Sequence, residues 1–139
     1  MKKIPFELHT EVYTPKDIAK VLSLAVNDKN FTGNNKGEKF LNVPVSFDIE
    51  TTSFYRDEDG ETYSYERYMK LGGKETKMEK CSLMYVWQFG INGFCIMGRT
   101  WDEFLQMLSE IVDILELCPK KRIIIYVHNL AYEFQFFRE

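Results

Sequence analysis

Between Ser82 and Ile91 the chain is almost wholly apolar and aromatic, then breaks at Asn92-Gly93 before Phe94–Met97 resumes the pattern. Asn-Gly adopts the left-handed conformations of a type I′ turn with little strain, and that turn matches the twist of paired strands. A chain with such a segment is committed to an antiparallel hairpin and therefore to a sheet. The next segments must cover that sheet. Thr100-Trp101-Asp102-Glu103 has the form of a capping box, in which hydroxyl and carboxylate satisfy orphan amides reciprocally. The spacing of Trp101, Phe104, Leu105, Leu108, Val112 and Leu115 predicts the core face of a helix that Pro119 ends. The run Arg122–Val127 is continuously apolar after its first residue, the pattern expected of a parallel strand buried on both faces. His128-Asn129 breaks it, and helical spacing resumes over Leu130–Glu139 with Leu130, Phe134 and Phe137 on one side.

Upstream, Thr14-Pro15-Lys16-Asp17 predicts a helix start, and Ile18, Val21, Leu22 and Ala25 continue it as one apolar stripe. Asn27–Lys39 is polar, with Gly and Asn throughout, and is expected to be a loop. Val43–Ile49 is a strand by its β-branched and aromatic content. The polar stretch from about 53 to 80 is either a small hairpin turned at Asp59-Gly60 or a mobile insertion. Residues 1–40 then form an N-terminal helix and polar loop, and 41–139 a single α/β unit carrying that insertion. Strand, antiparallel hairpin, capped helix, parallel strand and helix in this order predict a mixed sheet of ribonuclease-H-like type. The helix at Phe136-Phe137-Arg138-Glu139 meets no stop signal, so the fold is expected to be incomplete at its C-terminus.

A chain of 139 residues suffices for one core. It has no apolar run long enough to span a bilayer, and its first residues lack a signal-peptide core, so no membrane association is expected. Cys81, Cys95 and Cys118 are odd in number and scattered, which fits reduced thiols in a cytoplasm better than a disulfide framework or a zinc site. The formal net charge of −3 argues against a general duplex binder. Metal-dependent nucleases escape that argument, because bound cations cancel carboxylates locally.

Two sets of carboxylates require an explanation. Asp48 and Glu50 flank Ile49 where the first strand is expected to end, and period-two geometry puts both on one face. Two like charges there repel, and a divalent cation relieves them, since Mg²⁺ and Mn²⁺ prefer hard oxygens. The plainer alternative is a solvated strand terminus. Glu133 falls on or beside the apolar stripe of the last helix, for which Asn129 is the cap. Either it turns to the edge and is solvated, or it joins the first pair. Adjacent strand ends would gather all three around one or two metals, as in two-metal phosphodiester cleavage.

Phe47-Asp48-Ile49-Glu50-Thr51-Thr52 resembles the first exonuclease motif of family B DNA polymerases. Tyr126-Val127-His128-Asn129-Leu130-Ala131-Tyr132-Glu133 resembles the second, in the form found in the protein-primed phage branch. The resemblance covers roughly Val43 to Glu139. It implies a 3′–5′ proofreading exonuclease in which Asp48, Glu50 and Glu133 are catalytic and hold Mg²⁺ or Mn²⁺. Glu133 stands where the family has Asp. Thr51, His128, Asn129, Tyr132 and Phe136 match positions that contact the single-stranded DNA 3′ end, where aromatic faces stack on unpaired bases. Core packing of Tyr132 against Phe136 is the alternative for those two, and a histidine satisfied at the strand–helix junction is the alternative for His128. The family's third motif, a Tyr and an Asp further on, does not come after Glu133, nor does the polymerase palm. A segment that is weak or inactive by itself is therefore expected, its implied partner being the remainder of the polymerase, in a bacterial cytoplasm if phage-encoded. Two other classes stay open: a small standalone nuclease, and a binding or inhibitory module with a protein partner, for which the Tyr55–Tyr68 stretch with Arg56, Arg67 and Lys70 is the candidate surface.

Overall fold

The computed structural model describes residues 9–137. Its strands are β1 (Val12–Tyr13), β2 (Phe31–Gly33), β3 (Lys39–Leu41), β4 (Val45–Arg56), β5 (Thr62–Tyr63), β6 (Glu79–Ile91), β7 (Phe94–Gly98), β8 (Lys121–Arg122) and β9 (Tyr126–Val127). Its α-helices are α1 (Ile18–Ala25), α2 (Tyr65–Lys70), α3 (Trp101–Ile114) and α4 (Leu130–Glu133). The fold is mixed α/β. One sheet has the order β1-β7-β6-β4-β5 with β9 also paired to β4, and a second has the order β2-β3-β8. Both contain parallel and antiparallel pairs. Glu50–Tyr85 forms one compact unit, and the described residues before and after it form another. Among the described residues no helix is long and apolar enough to cross a membrane.

In the larger unit the hairpin is as expected. Ile91 pairs with Phe94, and Asn92 and Gly93 take φ of 47° and 88°. The turn is also anchored from outside. Asn92 donates its backbone N–H to the Pro44 carbonyl at 2.8 Å and its side-chain amide to the Ala25 carbonyl at 2.8 Å. Trp87, Phe89, Ile91 and Ile96 are fully buried, and α1 and α3 cover them. The α1 stripe Ile18, Val21, Leu22 and Ala25 is buried as predicted. Its entry is a 3₁₀ turn over Pro15–Asp17, where the Asp17 carboxylate accepts from both the Thr14 N–H and hydroxyl.

The capping box of α3 also forms. Glu103 N–H donates to the Thr100 hydroxyl, and the Glu103 carboxylate accepts from the backbone of Arg99 and Thr100. The buried face of α3 differs from the expected one: it is Phe104, Met107, Ile111 and Leu115, while Leu105 and Val112 are exposed. Both stripes satisfy a 3.6-residue period, so spacing alone does not choose between them. Rotation about the helix axis is set at its start, where the buried Trp87 indole N–H donates to the Thr100 carbonyl at 2.8 Å and Phe104 packs on Phe47 at 4.6 Å. Pro119 does not end the helix either. A Schellman motif does so earlier: Leu117 N–H donates to the Val112 carbonyl and Glu116 N–H to that of Asp113, with Glu116 at φ 51°. Glutamate incurs a steric penalty in that conformation which glycine avoids, so Glu116→Gly is expected to raise stability by about 0.5 kcal/mol in chemical denaturation, despite glycine's looser unfolded state.

Two further expectations are corrected. Asn27–Lys39 is not a plain loop: it holds a 3₁₀ turn at Asp28–Asn30, then β2 and the start of β3, closed where the Asn34 carboxamide accepts from Lys36 and Glu38. The run Arg122–Val127 is not one buried strand. Its first residue belongs to β8, paired with β3, and its last two form β9, paired with β4, with Ile123–Ile125 in neither. Ile124 and Tyr126 are exposed, because the run changes partners midway and has a strand on only one side at each end. The last helix is short, with α4 passing into a 3₁₀ turn over Phe134–Phe137. The predicted facing of Phe134 and Phe137 and the continuation to Arg138 and Glu139 lie outside the described residues.

The smaller unit is ordered by its own contacts. Asp59-Gly60 does turn a hairpin, in which Tyr55 pairs with Tyr63 and Arg56 with Thr62. Asp57 holds it, accepting from the Tyr63 hydroxyl at 2.7 Å and from the backbone of Asp59 and Glu61. Tyr55 and Tyr68 are buried and stacked at 3.7 Å.

Candidate active site

Strand β4 alternates as a sheet with one covered face must: Val45, Phe47 and Ile49 are buried, while Ser46, Asp48 and Glu50 are exposed. Asp48 and Glu50 are not at a strand end, because β-branched and aromatic residues carry β4 on to Arg56. The feature that isolates Asp48 lies on the neighbouring strand. β9 pairs in parallel with β4, Ser46 opposite Tyr126 and Phe47 opposite Val127, and there it stops. The chain turns at His128 and Asn129, and Asn129 starts α4 by accepting from the Tyr132 and Glu133 N–H groups through its carbonyl. Its side-chain oxygen also receives the Tyr132 N–H, at 3.4 Å.

That turn carries Glu133 back beside Asp48. Glu133 is only 2% exposed, and its Oε2 has no hydrogen-bond partner among the described residues. Its pKa is pushed up to about 7, first by burial, then by a hydrogen bond to Asp48 and by that residue's charge. A protonated Glu133 donating to the Asp48 carboxylate is the arrangement these causes describe. The solvated alternative for Glu133 is thereby excluded.

Asp48 opens on a cleft of about 460 Å³ lined by Ser46, Gln88, Gly90, Cys95, Tyr126 and His128 among others. Except for His128, on the turn, these residues stand on the sheet face away from α1 and α3. Gly90 matters for its shape, since a Cβ there would lie 2.6 Å from the Ser46 hydroxyl. Burial pushes the Cys95 thiol pKa up, which makes it a poor nucleophile.

The other predicted residues are more dispersed. His128 is exposed at the cleft, and Asn129 is exposed at the start of α4. Tyr132 is exposed and meets the half-buried Phe136 edge-on at 5.5 Å, a surface ring pair rather than core packing. Glu50 and Thr51 belong to the smaller unit, Glu50 exposed and Thr51 half-buried. Among the described residues no three His, Cys, Asp or Glu side chains gather closely enough to hold a metal together. Ser46, Gln88 and Gly90 are cleft residues that motif reasoning missed. Their signal was parity: each alternates with the buried Val45, Phe47, Trp87, Phe89 and Ile91.

Fold and site together define a mixed α/β fold whose larger unit sets a buried Glu133 carboxyl beside Asp48 at the rim of a cleft. No protein-family model matches the chain, and neither a curated protein nor a solved structure matches it.

Proposed function

We propose that the chain carries the first two motifs of a metal-dependent 3′–5′ proofreading exonuclease of the phage-type, protein-primed family B DNA polymerase class, on a ribonuclease-H-like sheet. The observation that carries this reading is the buried Glu133 carboxyl against Asp48, because the two residues come from the two motif-like segments and lie 85 positions apart. The order of hairpin, capped helix, parallel strand and helix supports the fold. The donor set also fits a hard cation: the buried Glu133 carboxyl, one of whose oxygens has no hydrogen-bond partner among the described residues, lies beside the Asp48 carboxylate, and a cation held there would balance their charge. Asp48 and Glu133 would hold Mg²⁺ or Mn²⁺, and Glu50 is the third carboxylate the resemblance names. A bound divalent ion would activate water and neutralise charge building on a phosphodiester. His128 stands at the cleft to donate to a phosphate oxygen, and exposed Tyr126 offers a face for an unpaired base.

The test is Mn²⁺ titration monitored by electron paramagnetic resonance at pH 8. Wild type is expected to bind, and Asp48→Asn to weaken binding by about tenfold or more, as removal of a carboxylate ligand does. Absence of binding at millimolar Mn²⁺, or equal binding by wild type, Asp48→Asn and Glu133→Gln, would sink the proposal. The binding-module reading draws less support, because Tyr55 and Tyr68 are occupied in the core of their own unit.

A further inference from the structure

The second sheet gathers basic side chains that the described residues leave largely unanswered. The segments that build it and join its strands, 27–42 and 118–122, hold Lys29, Lys36, Lys39, Lys120, Lys121 and Arg122 against Asp28 and Glu38, a sum of +4. With the chain at a formal −3, everything else sums to −7. Strand pairing concentrates the positive charge. Lys39 stands opposite Lys121 in the β3–β8 ladder, and its N–H donates to the Lys120 carbonyl at 2.7 Å. Like charges at opposed positions of one face repel, and an anion laid against them relieves that repulsion. Two of the six are engaged: Arg122 pairs with Glu38 at 3.3 Å, and the Lys121 ammonium lies 4.5 Å from the centre of the Phe31 ring. Lys29, Lys36, Lys39 and Lys120 are exposed, and among the described residues no salt bridge reaches them.

A groove adjoins these residues. Side chains opposed in a ladder share a face, so Thr32, Phe40 and Arg122 stand together on one side of the sheet. Thr32 and Phe40 line a cleft of about 300 Å³ with Ile124 and Tyr126, and Tyr126 also lines the cleft of Asp48. Tyr126 is 66% exposed, and among the described residues neither a hydrogen bond nor a ring contact engages its side chain. Charge and ring together select the ligand. An exposed aromatic face stacks on a base that is unpaired, while the phosphates of the same strand seek lysine. An acidic protein segment would use the lysines and leave the Tyr126 ring idle, and a bilayer surface is too flat to enter the groove.

We infer that the basic β2–β3–β8 sheet and the adjoining groove of Thr32, Phe40, Ile124 and Tyr126 bind single-stranded nucleic acid and lead it toward the Asp48 cleft. Lys39 and Lys120 hold phosphates, and Tyr126 stacks on a base where groove and cleft meet. The binding stands on patch and groove alone, whereas delivery of the strand to Asp48 rests on the nuclease reading.

The probe is a fluorescent oligothymidylate of about 15 nucleotides, with EDTA present so that binding is read apart from metal and cleavage. By anisotropy at low salt it is expected to bind more tightly than a duplex of the same length or a polyglutamate peptide. Lys39→Gln with Lys120→Gln should weaken binding by about tenfold and lower the salt dependence by about one phosphate contact or more. Tyr126→Ala should weaken it by about fivefold or more and leave the salt dependence unchanged. All three side chains are exposed, and thermal unfolding of each variant confirms that the fold persists. No binding of the oligothymidylate, equal or tighter binding of the duplex or the peptide, or binding indifferent to either variant overturns the inference. The lysine variant should keep wild-type Mn²⁺ binding, and Asp48→Asn should keep oligothymidylate binding. Oligothymidylate binding by a protein that takes up no Mn²⁺ would sink the nuclease reading and support the binding surface alone.

Discussion

Raising the pH from 4.5 to above 7 in metal-free buffer is expected to lower the unfolding free energy by about 3 kcal/mol, the cost of ionising a buried Glu133. The folded-state pKa is about 7 against an ordinary 4.5, so between those values the unfolded chain has released a proton that the folded one retains. The unfolded state then binds fewer protons, and stability falls with rising pH. The contribution is fully present below 4.5, is lost progressively toward about 7, and levels off above it. Urea unfolding at a series of pH values measures this directly. Glu133→Gln keeps the shape and can still donate to Asp48, so it should flatten the profile and leave the protein more stable than wild type at pH 8. Mn²⁺ added at pH 8 should restore wild-type stability, because a ligand bound only by the folded state stabilises it. A wild-type profile that is flat across this window would show that Glu133 carries no such burden.

Gly98→Ala is expected to destabilise the larger unit by about 3 kcal/mol or more, near the upper end of overpacking effects. Gly98 lies directly across the ladder from Trp87, and an added Cβ would sit 2.1 Å from the indole ring. The ring is fully buried and tied to the Thr100 carbonyl, so it has nowhere to move. Any shift of the indole also breaks the contact that orients α3. Loss of cooperative thermal unfolding monitored by tryptophan fluorescence is the expected readout, and a change in melting temperature of only a degree or two would contradict it.

Local chemistry was legible wherever one residue type has a single cheap conformation. Asn92-Gly93 specified its turn, Thr100 and Glu103 their cap, and Ile18, Val21, Leu22 and Ala25 their buried face. Legibility failed where two local solutions were nearly degenerate. On α3 the stripes through Phe104 and Leu105 differ by one position, and the anchoring of Trp87 at the helix start made the choice. Across Arg122–Val127 apolar content indicated burial, but a run shared between two sheets gains neither a second neighbour nor a cover. The polar stretch looked loose because its stabilising contacts, Asp57 with Tyr63 and Tyr55 with Tyr68, are side-chain pairings that composition does not reveal.

The site divides along the same line. By itself the sequence determined that Asp48 faces away from the core, through the parity of β4, and that Asn129 begins a helix whose next turn carries Glu133. Both arise from backbone periods that neighbours do not alter. Only the tertiary structure decided that these two carboxyls meet, that Glu133 is buried enough for its pKa to rise, and that Glu50 and Thr51 fall in a different unit. Those facts depend on the register of β4 with β9, a pairing between residues far apart in the chain, and burial is a property of the assembled neighbours rather than of any one segment.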